Sequence, residues 1–173
     1  MAAARTRYAL YYWPTIQGRG EFVRLALEEA GAPYDDVARQ HGAGRGVPAM
    51  LSFMKDARRA PFAPPFLRAG RLVVAQTANI LQFLGPRLGL VPAGEAERVW
   101  AHQTQLTIAD FLDEVHDTHH PIAVSLYYED QRAEALRRTG HFLKERVPKY
   151  LGWLEQAVGT GRYALGARVS YVD

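Results

Sequence analysis

Val23, Ala26, Leu27 and Ala30 recur at three- and four-residue spacing, the period of a helix with one buried face, and Gly31 just beyond them is a helix stop. Ahead of this helix, Arg7 to Trp13 is a short aromatic-rich run that ends at Pro14 and reads as a strand closed by a loop. Pro33 to Ala38 reads as a second strand. Gly42, Gly44 and Gly46 form a loop, and Pro48 stands where a first helical turn begins, so a second helix is expected to run to Arg58. Pro61, Pro64 and Pro65 precede two apolar runs, Phe66-Leu67 and Leu72 to Ala75, separated by Arg68-Ala69-Gly70, which predicts a β-hairpin. Ile80, Leu81 and Leu84 carry the buried stripe of a third helix, which Gly85-Pro86 is expected to end. The order from Arg7 to Pro86 is strand, helix, strand, helix, hairpin, helix, which belongs to a mixed α/β domain over residues 1–86.

A linker over 87–94 containing Gly and Pro follows, and the pattern of 95–173 is helical throughout. Ile108, Phe111, Leu112 and Val115 have the spacing of one buried face, as do Leu143, Val147, Tyr150 and Leu154, which predicts two long antiparallel helices. Pro148 inside the second predicts a kink, because it removes a backbone donor and crowds the preceding turn. Trp100, Trp153 and Phe111 read as core.

Composition narrows the chemistry. A chain of 173 residues that is 48% hydrophobic can bury the core of one large domain or two small ones. No stretch approaches the roughly 18 continuous apolar residues of a membrane span, and Met1 to Arg7 lack the apolar centre of a secretory signal, so a cytoplasmic location away from membranes is expected. With no cysteine, the chain has no disulfide, no Cys-ligated zinc and no thiol nucleophile of its own, so thiol chemistry here must use a substrate's sulfur. The net charge of +3 comes from bases interleaved with acids, a balance that argues against nucleic acid as a partner.

Three separated motifs carry a family likeness. Tyr11-Tyr12-Trp13-Pro14, followed by Gly18-Arg19-Gly20-Glu21 and a helix, resembles the start of tyrosine-type cytosolic glutathione transferases, with one extra residue in the loop. Pro64-Pro65-Phe66-Leu67 is similar to the family's Val-Pro-x-Leu segment, whose proline is cis. Gln76-Thr77-Ala78-Asn79-Ile80 with Phe83-Leu84 is similar to its Gln/Glu-Ser-x-Ala-Ile-x-x-Tyr-Leu signature. Val147 to Leu151 and Ser170 to Asp173 look like landmarks of the family's helical domain. The resemblance implies a thioredoxin-like βαβ-α-ββα domain followed by an incomplete helical domain that stops at the start of its central helix.

It also implies a site. A glutathione thiol has a pKa of about 8.5, like free cysteine, and a hydroxyl that donates a hydrogen bond to the thiolate lowers it. The family pattern puts that donor at Tyr12; Tyr11 belongs on the opposite face of a regular strand, and Thr15 is the alternative hydroxyl. Gln76 and Thr77 open a helix whose free N–H groups suit a carboxylate, and the resemblance assigns them to the γ-glutamyl group; the plainer reading is an N-cap at Thr77, and both can hold at once. Pro65, and Pro64 before it, would meet the cysteinyl backbone, but Pro64 has no N–H and so lacks one of two expected bonds. Arg19 is expected either on glutathione or in a salt bridge with Glu21 or Asp36. Arg45, Lys55, Arg58 and Arg59 remain open as ligands of the glycyl carboxylate.

Asp113, Glu114, His116, Asp117, His119 and His120 form a polar cluster in which His116 and His120 share a helix face. They lack an HExxH frame, so no metal is expected. His116, His120, Tyr127 and Tyr128 are read instead as the lining of an electrophile pocket, since the family's pocket borders this helix end.

The function expected is conjugation, of the detoxification type, of glutathione as co-substrate to a small hydrophobic electrophile by a homodimer. The alternative is a non-catalytic module of the same fold that binds ligands or proteins. Ser170-Tyr171-Val172-Asp173 fits a helix-opening capping box. No helix follows it, and the chain ending there is expected to leave the stripe through Leu143 and Val147 uncovered and to be marginally stable.

Overall fold

In the computed structural model, which describes residues 7–56 and 60–173, the first strand, β1 (Tyr8–Tyr11), sends Tyr8 and Leu10 to one face of a sheet and Tyr11 to the other. That alternation sets the layering of the first of two units, residues 1–93. α1 (Gly18–Glu29), β2 (Tyr34–Asp36), a 3₁₀ turn at Val37–Arg39 and α2 (Gly46–Asp56) follow, then β3 (Phe66–Ala69), β4 (Leu72–Ala75) and α3 (Thr77–Leu88). The strand order is β2-β1-β3-β4, with β1 and β2 parallel and the other pairs antiparallel. This is the thioredoxin-like βαβαββα arrangement.

Val23 and Leu27 of α1 and Ile80 and Leu84 of α3 cover the Leu10 face, all with no exposed surface. Met50 of α2 and the 3₁₀ turn cover the Tyr11 face, where Tyr11 and Phe66 stack with ring centres 4.5 Å apart and Phe53 joins both. Each fully buried aliphatic side chain contributes about 1.5–3 kcal/mol. The apolar stripe of α3 is therefore spent on its own unit's core, while Val99, Trp100 and Leu106 of the next helix stay exposed.

α3 does not end at Gly85-Pro86 but continues to Leu88. Pro86 lies in the last turn, where the missing N–H costs one bond, and the stop is Gly89, whose φ of 73° lets the Leu90 N–H reach back to the Gly85 carbonyl at 2.9 Å.

The second unit, residues 94–173, holds α4 (Glu95–Asp117), a 3₁₀ turn at Tyr128–Gln131, α5 (Arg132–His141), a π-helical turn at Phe142–Arg146 and α6 (Val147–Val158). Contacts between Trp100 and Trp153, Phe111 and Phe142, and Thr118 and Thr139 run in opposite chain directions, so α4 is antiparallel to the α5–α6 path. The disruption expected from Pro148 takes the form of the π-turn just before it, which widens the helix where proline withholds a donor. Phe111 and Trp153 are half-buried and Trp100 is 36% exposed, so these rings form a seam between helices and not a closed core. Tyr150 is buried, Val147 and Leu154 are half-buried, and Leu143 is 59% exposed. At the chain's end, Asp173 accepts bonds from the Ser170 N–H and hydroxyl and from the Ala164 N–H, the reach-back half of a capping box.

Glu114 ties α4 to the other path. Arg146 Nε is 2.9 Å from each of its oxygens and Nη2 is 2.7 Å from Oε1, while the Tyr150 hydroxyl donates at 2.9 Å. The Arg146 bonds, outweighing burial, hold the Glu114 carboxyl below its usual range. Because the folded value is depressed, this contribution is complete above the unfolded value of about 4.3 and is lost as pH falls through the folded one. Glu114→Gln is expected to lower Tm at neutral pH by about 4 to 8 °C and to flatten the acid limb of a Tm-against-pH series, which thermal melts will check.

Candidate functional site

Tyr12 leaves the end of β1 on the side of Tyr8 and Leu10 and is 5% exposed. Its ring crosses the start of α1, where the Arg19 N–H donates to the Tyr12 hydroxyl oxygen at 3.0 Å. A first-turn amide has no acceptor inside its own helix, so this bond uses a donor the helix leaves over. A Cβ on Gly18 would lie 2.3 Å from the hydroxyl oxygen and one on Gly20 2.3 Å from the ring, so both glycines are demanded by the close approach. With its oxygen already accepting from Arg19, the phenol keeps its own proton to donate elsewhere.

Strand register brings the other motifs to the same end of the sheet. Tyr11 pairs with Phe66 and Phe66 with Ala75, so Tyr12, Pro65 and Gln76 lie at adjacent strand ends. The Pro64-Pro65 peptide is cis. Gln76 is exposed and has φ 69°, ψ 122°, a conformation that costs a non-glycine residue about 1–3 kcal/mol and is characteristic of functional sites. Thr77 is not a cap: it is the first residue of α3, and its hydroxyl donates to the Arg19 carbonyl at 3.2 Å, tying the starts of α3 and α1 together.

The other residues singled out in the sequence divide. Glu21 and Asp36 both pair with Arg24, a residue the motifs did not mark, which stands five positions beyond Arg19 in α1 with its side chain buried. Thr15 is exposed in the loop after β1, together with Trp13 and Ile16, two apolar side chains beside Tyr12 in sequence. Arg45 lies 3.8 Å from Asp35, and Lys55 is exposed in the last turn of α2. Arg58 and Arg59 fall outside the described residues.

In the second unit the rings of His116 and His120 stack with centres 5.0 Å apart. Tyr128 packs on His119, whereas Tyr127 is 78% exposed. The loop holding them is built around Gln131, 1% exposed, whose Oε1 accepts from the Ile122 N–H at 2.9 Å and whose Nε2 donates to the Ala123 and Leu126 carbonyls at 3.0 and 3.1 Å. Nothing in the sequence marks Gln131, since glutamine is an ordinary surface residue and only the path of the loop makes this one a hub. Among the described residues no three His, Cys, Asp or Glu side chains gather as a metal site.

A thioredoxin-like sheet domain followed by an all-helical region is the two-domain architecture of glutathione transferases. Residues 116–173 match the family "Glutathione S-transferase, C-terminal domain". A "Glutathione S-transferase P 1" of Xenopus laevis is 27% identical over 173 residues, covering 96% of this chain and 72% of the relative. A "Glutathione S-transferase" of Plasmodium yoelii yoelii is 22% identical, covering 91% and 69%. Among solved structures, the Onchocerca volvulus Pi-class glutathione S-transferase superposes with a TM-score of 0.71 at 20% identity, covering 95% of this chain and 71% of that one. Prostaglandin synthase D of Nilaparvata lugens gives 0.73 at 20% identity, covering 96% and 75%. The chain is thus similar to glutathione transferases over nearly its whole length, with the C-terminal-domain family matched in its second unit.

The contact of Tyr12 with two glycines is testable apart from activity. Gly20→Ala is expected to cost about 1–3 kcal/mol, because the new methyl meets a buried ring that has nowhere to go. Gly152→Ala in α6, where a Cβ meets nothing within 4 Å, is the control and is expected to be neutral or to stabilise by about 0.4–1 kcal/mol in denaturant melts.

Proposed function

We propose that the first unit binds glutathione and that Tyr12 donates a hydrogen bond to its sulfur, favouring the thiolate for attack on a small apolar electrophile. The observation that carries this reading is the buried Tyr12 hydroxyl with its oxygen already bonded to the start of α1 and its proton left over for a ligand. The strained Gln76 and the helix start at Thr77, at the same sheet end, support it as the place for the γ-glutamyl carboxylate. Arg19 and the Pro64-Pro65 segment complete the glutathione side, with no metal required. His116, His120, Tyr127 and Tyr128 belong to the electrophile side of the same proposal. The protein acts in the cytoplasm as a homodimer, with the exposed Val99, Trp100 and Leu106 of α4 as the surface for pairing.

A conjugation assay with a generic aromatic halide tests the catalytic role. Tyr12→Phe is expected to lower the rate by about 10- to 100-fold at neutral pH, the worth of a hydrogen bond to a charged sulfur, and equal rates would remove Tyr12 from the mechanism.

One observation favours the second reading, a non-catalytic binding module: Pro64 cannot supply the backbone N–H that the family's Val-Pro-x-Leu segment offers. Pro64→Val is expected to tighten glutathione by about 1 kcal/mol, close to fivefold in Kd, as measured by calorimetry. Unchanged affinity would place Pro64 away from the ligand.

A further inference from the structure

One cation beside the Tyr12 ring comes from none of the three motifs. Arg24 has only 3% of its side chain exposed, yet its guanidinium carbon lies 5.7 Å from the centre of the Tyr12 ring. Nε donates to Asp36 Oδ2 at 2.7 Å and Nη1 to Glu21 Oε2 at 2.9 Å, while Nη2 and Asp36 Oδ1 have no hydrogen-bond partner among the described residues. The charged and titratable groups facing it come from every neighbouring element: Glu21 on α1, Asp36 and Tyr34 on β2, Arg39 in the 3₁₀ turn at 3.5 Å from Asp36, and Tyr12 after β1. Burial works against its charge, but the bonds to Asp36 and Glu21 outweigh it, so Arg24 stays a cation. A buried ion pair is a poor source of stability, because desolvation offsets most of the attraction, and an incompletely bonded one is poorer still.

We propose that Arg24 is a positioning residue acting through Tyr12: its buried cation beside the ring draws electron density from the phenol and strengthens the hydroxyl as a donor to the glutathione sulfur. The inference rests on the reading of Tyr12 given above. A cation near a donor hydroxyl favours the state in which negative charge develops on the group the hydroxyl serves. Asp36 partly neutralises that cation, so the two partners of one ion pair act on Tyr12 with opposite sign. A mere brace would not behave so, since loosening it from either end has the same effect.

The test is the pH titration of enzyme-bound glutathione, followed by the ultraviolet absorbance of its thiolate. Arg24→Met is expected to move the midpoint up by about half a pH unit, and Asp36→Asn, which keeps the guanidinium and removes its counter-charge, to move it down by a similar amount. In a Tyr12→Phe background both shifts are expected to vanish, as coupling through one hydroxyl requires. Shifts of the same sign, or a drop in Tm with no shift, overturn the proposal and leave Arg24 a brace. If Arg24→Met does not fold, Asp36→Asn decides by sign alone. A midpoint that Tyr12→Phe itself leaves unchanged removes the reading of Tyr12 and this inference together. A midpoint that moves in Tyr12→Phe but in neither charge variant removes only the inference.

Discussion

The close approach of Tyr12 to the start of α1 constrains the whole sheet end. A phenol ring lies where two Cβ atoms would otherwise be, and its oxygen takes a first-turn amide that has no acceptor within its own helix. The contact sets the seat of α1 on β1. The Arg19 carbonyl in turn receives the Thr77 hydroxyl, so the start of α3 is registered against the same backbone segment. A side chain at either glycine would press on the Tyr12 ring, and the ring or the start of α1 would have to shift.

Charge in this unit is organised around the same place. Arg24 reaches from α1 to β2 through Asp36, and Asp35 beside it gathers Arg7 and Gln40 at 2.8 and 3.3 Å, with bonds from these partners holding its carboxyl below the usual range. Arg7, just before β1, thus reaches β2 across the parallel pair that no hairpin connects, while Arg24 ties α1 to the same strand. The second unit uses the same device at Glu114, where two helices with half-buried aromatic seams are joined by a forked guanidinium and a phenol.

The elements were largely legible in the chain because each has a local cause. The alternation of Tyr8, Leu10 and Tyr11, the helical spacing of Val23 and Leu27, and the Gly70 turn at φ 62° between β3 and β4 act over a few residues. Where local rules misled, a neighbour at longer range had prevailed. Gly85-Pro86 looks like a stop, but α3 is held by Ile80 and Leu84 in the core and ends only at Gly89. Thr77 looks like a cap, but its hydroxyl serves Arg19, 58 positions away in sequence.

The sequence by itself determined the order of elements, the two-part layout, the absence of a thiol and the three motifs that mark the sheet end, since periodicity, turn chemistry and composition are properties of neighbouring residues. Only the tertiary structure decided that Arg24 would stand beside the Tyr12 ring, that Gln131 would be the buried hub of a loop, and that Gly18 and Gly20 are required by a ring six and eight residues before them. Burial and charge pairing are set by the sum of everything that packs around a side chain. An arginine, a glutamine or a glycine carries no mark of that sum until the chain has folded.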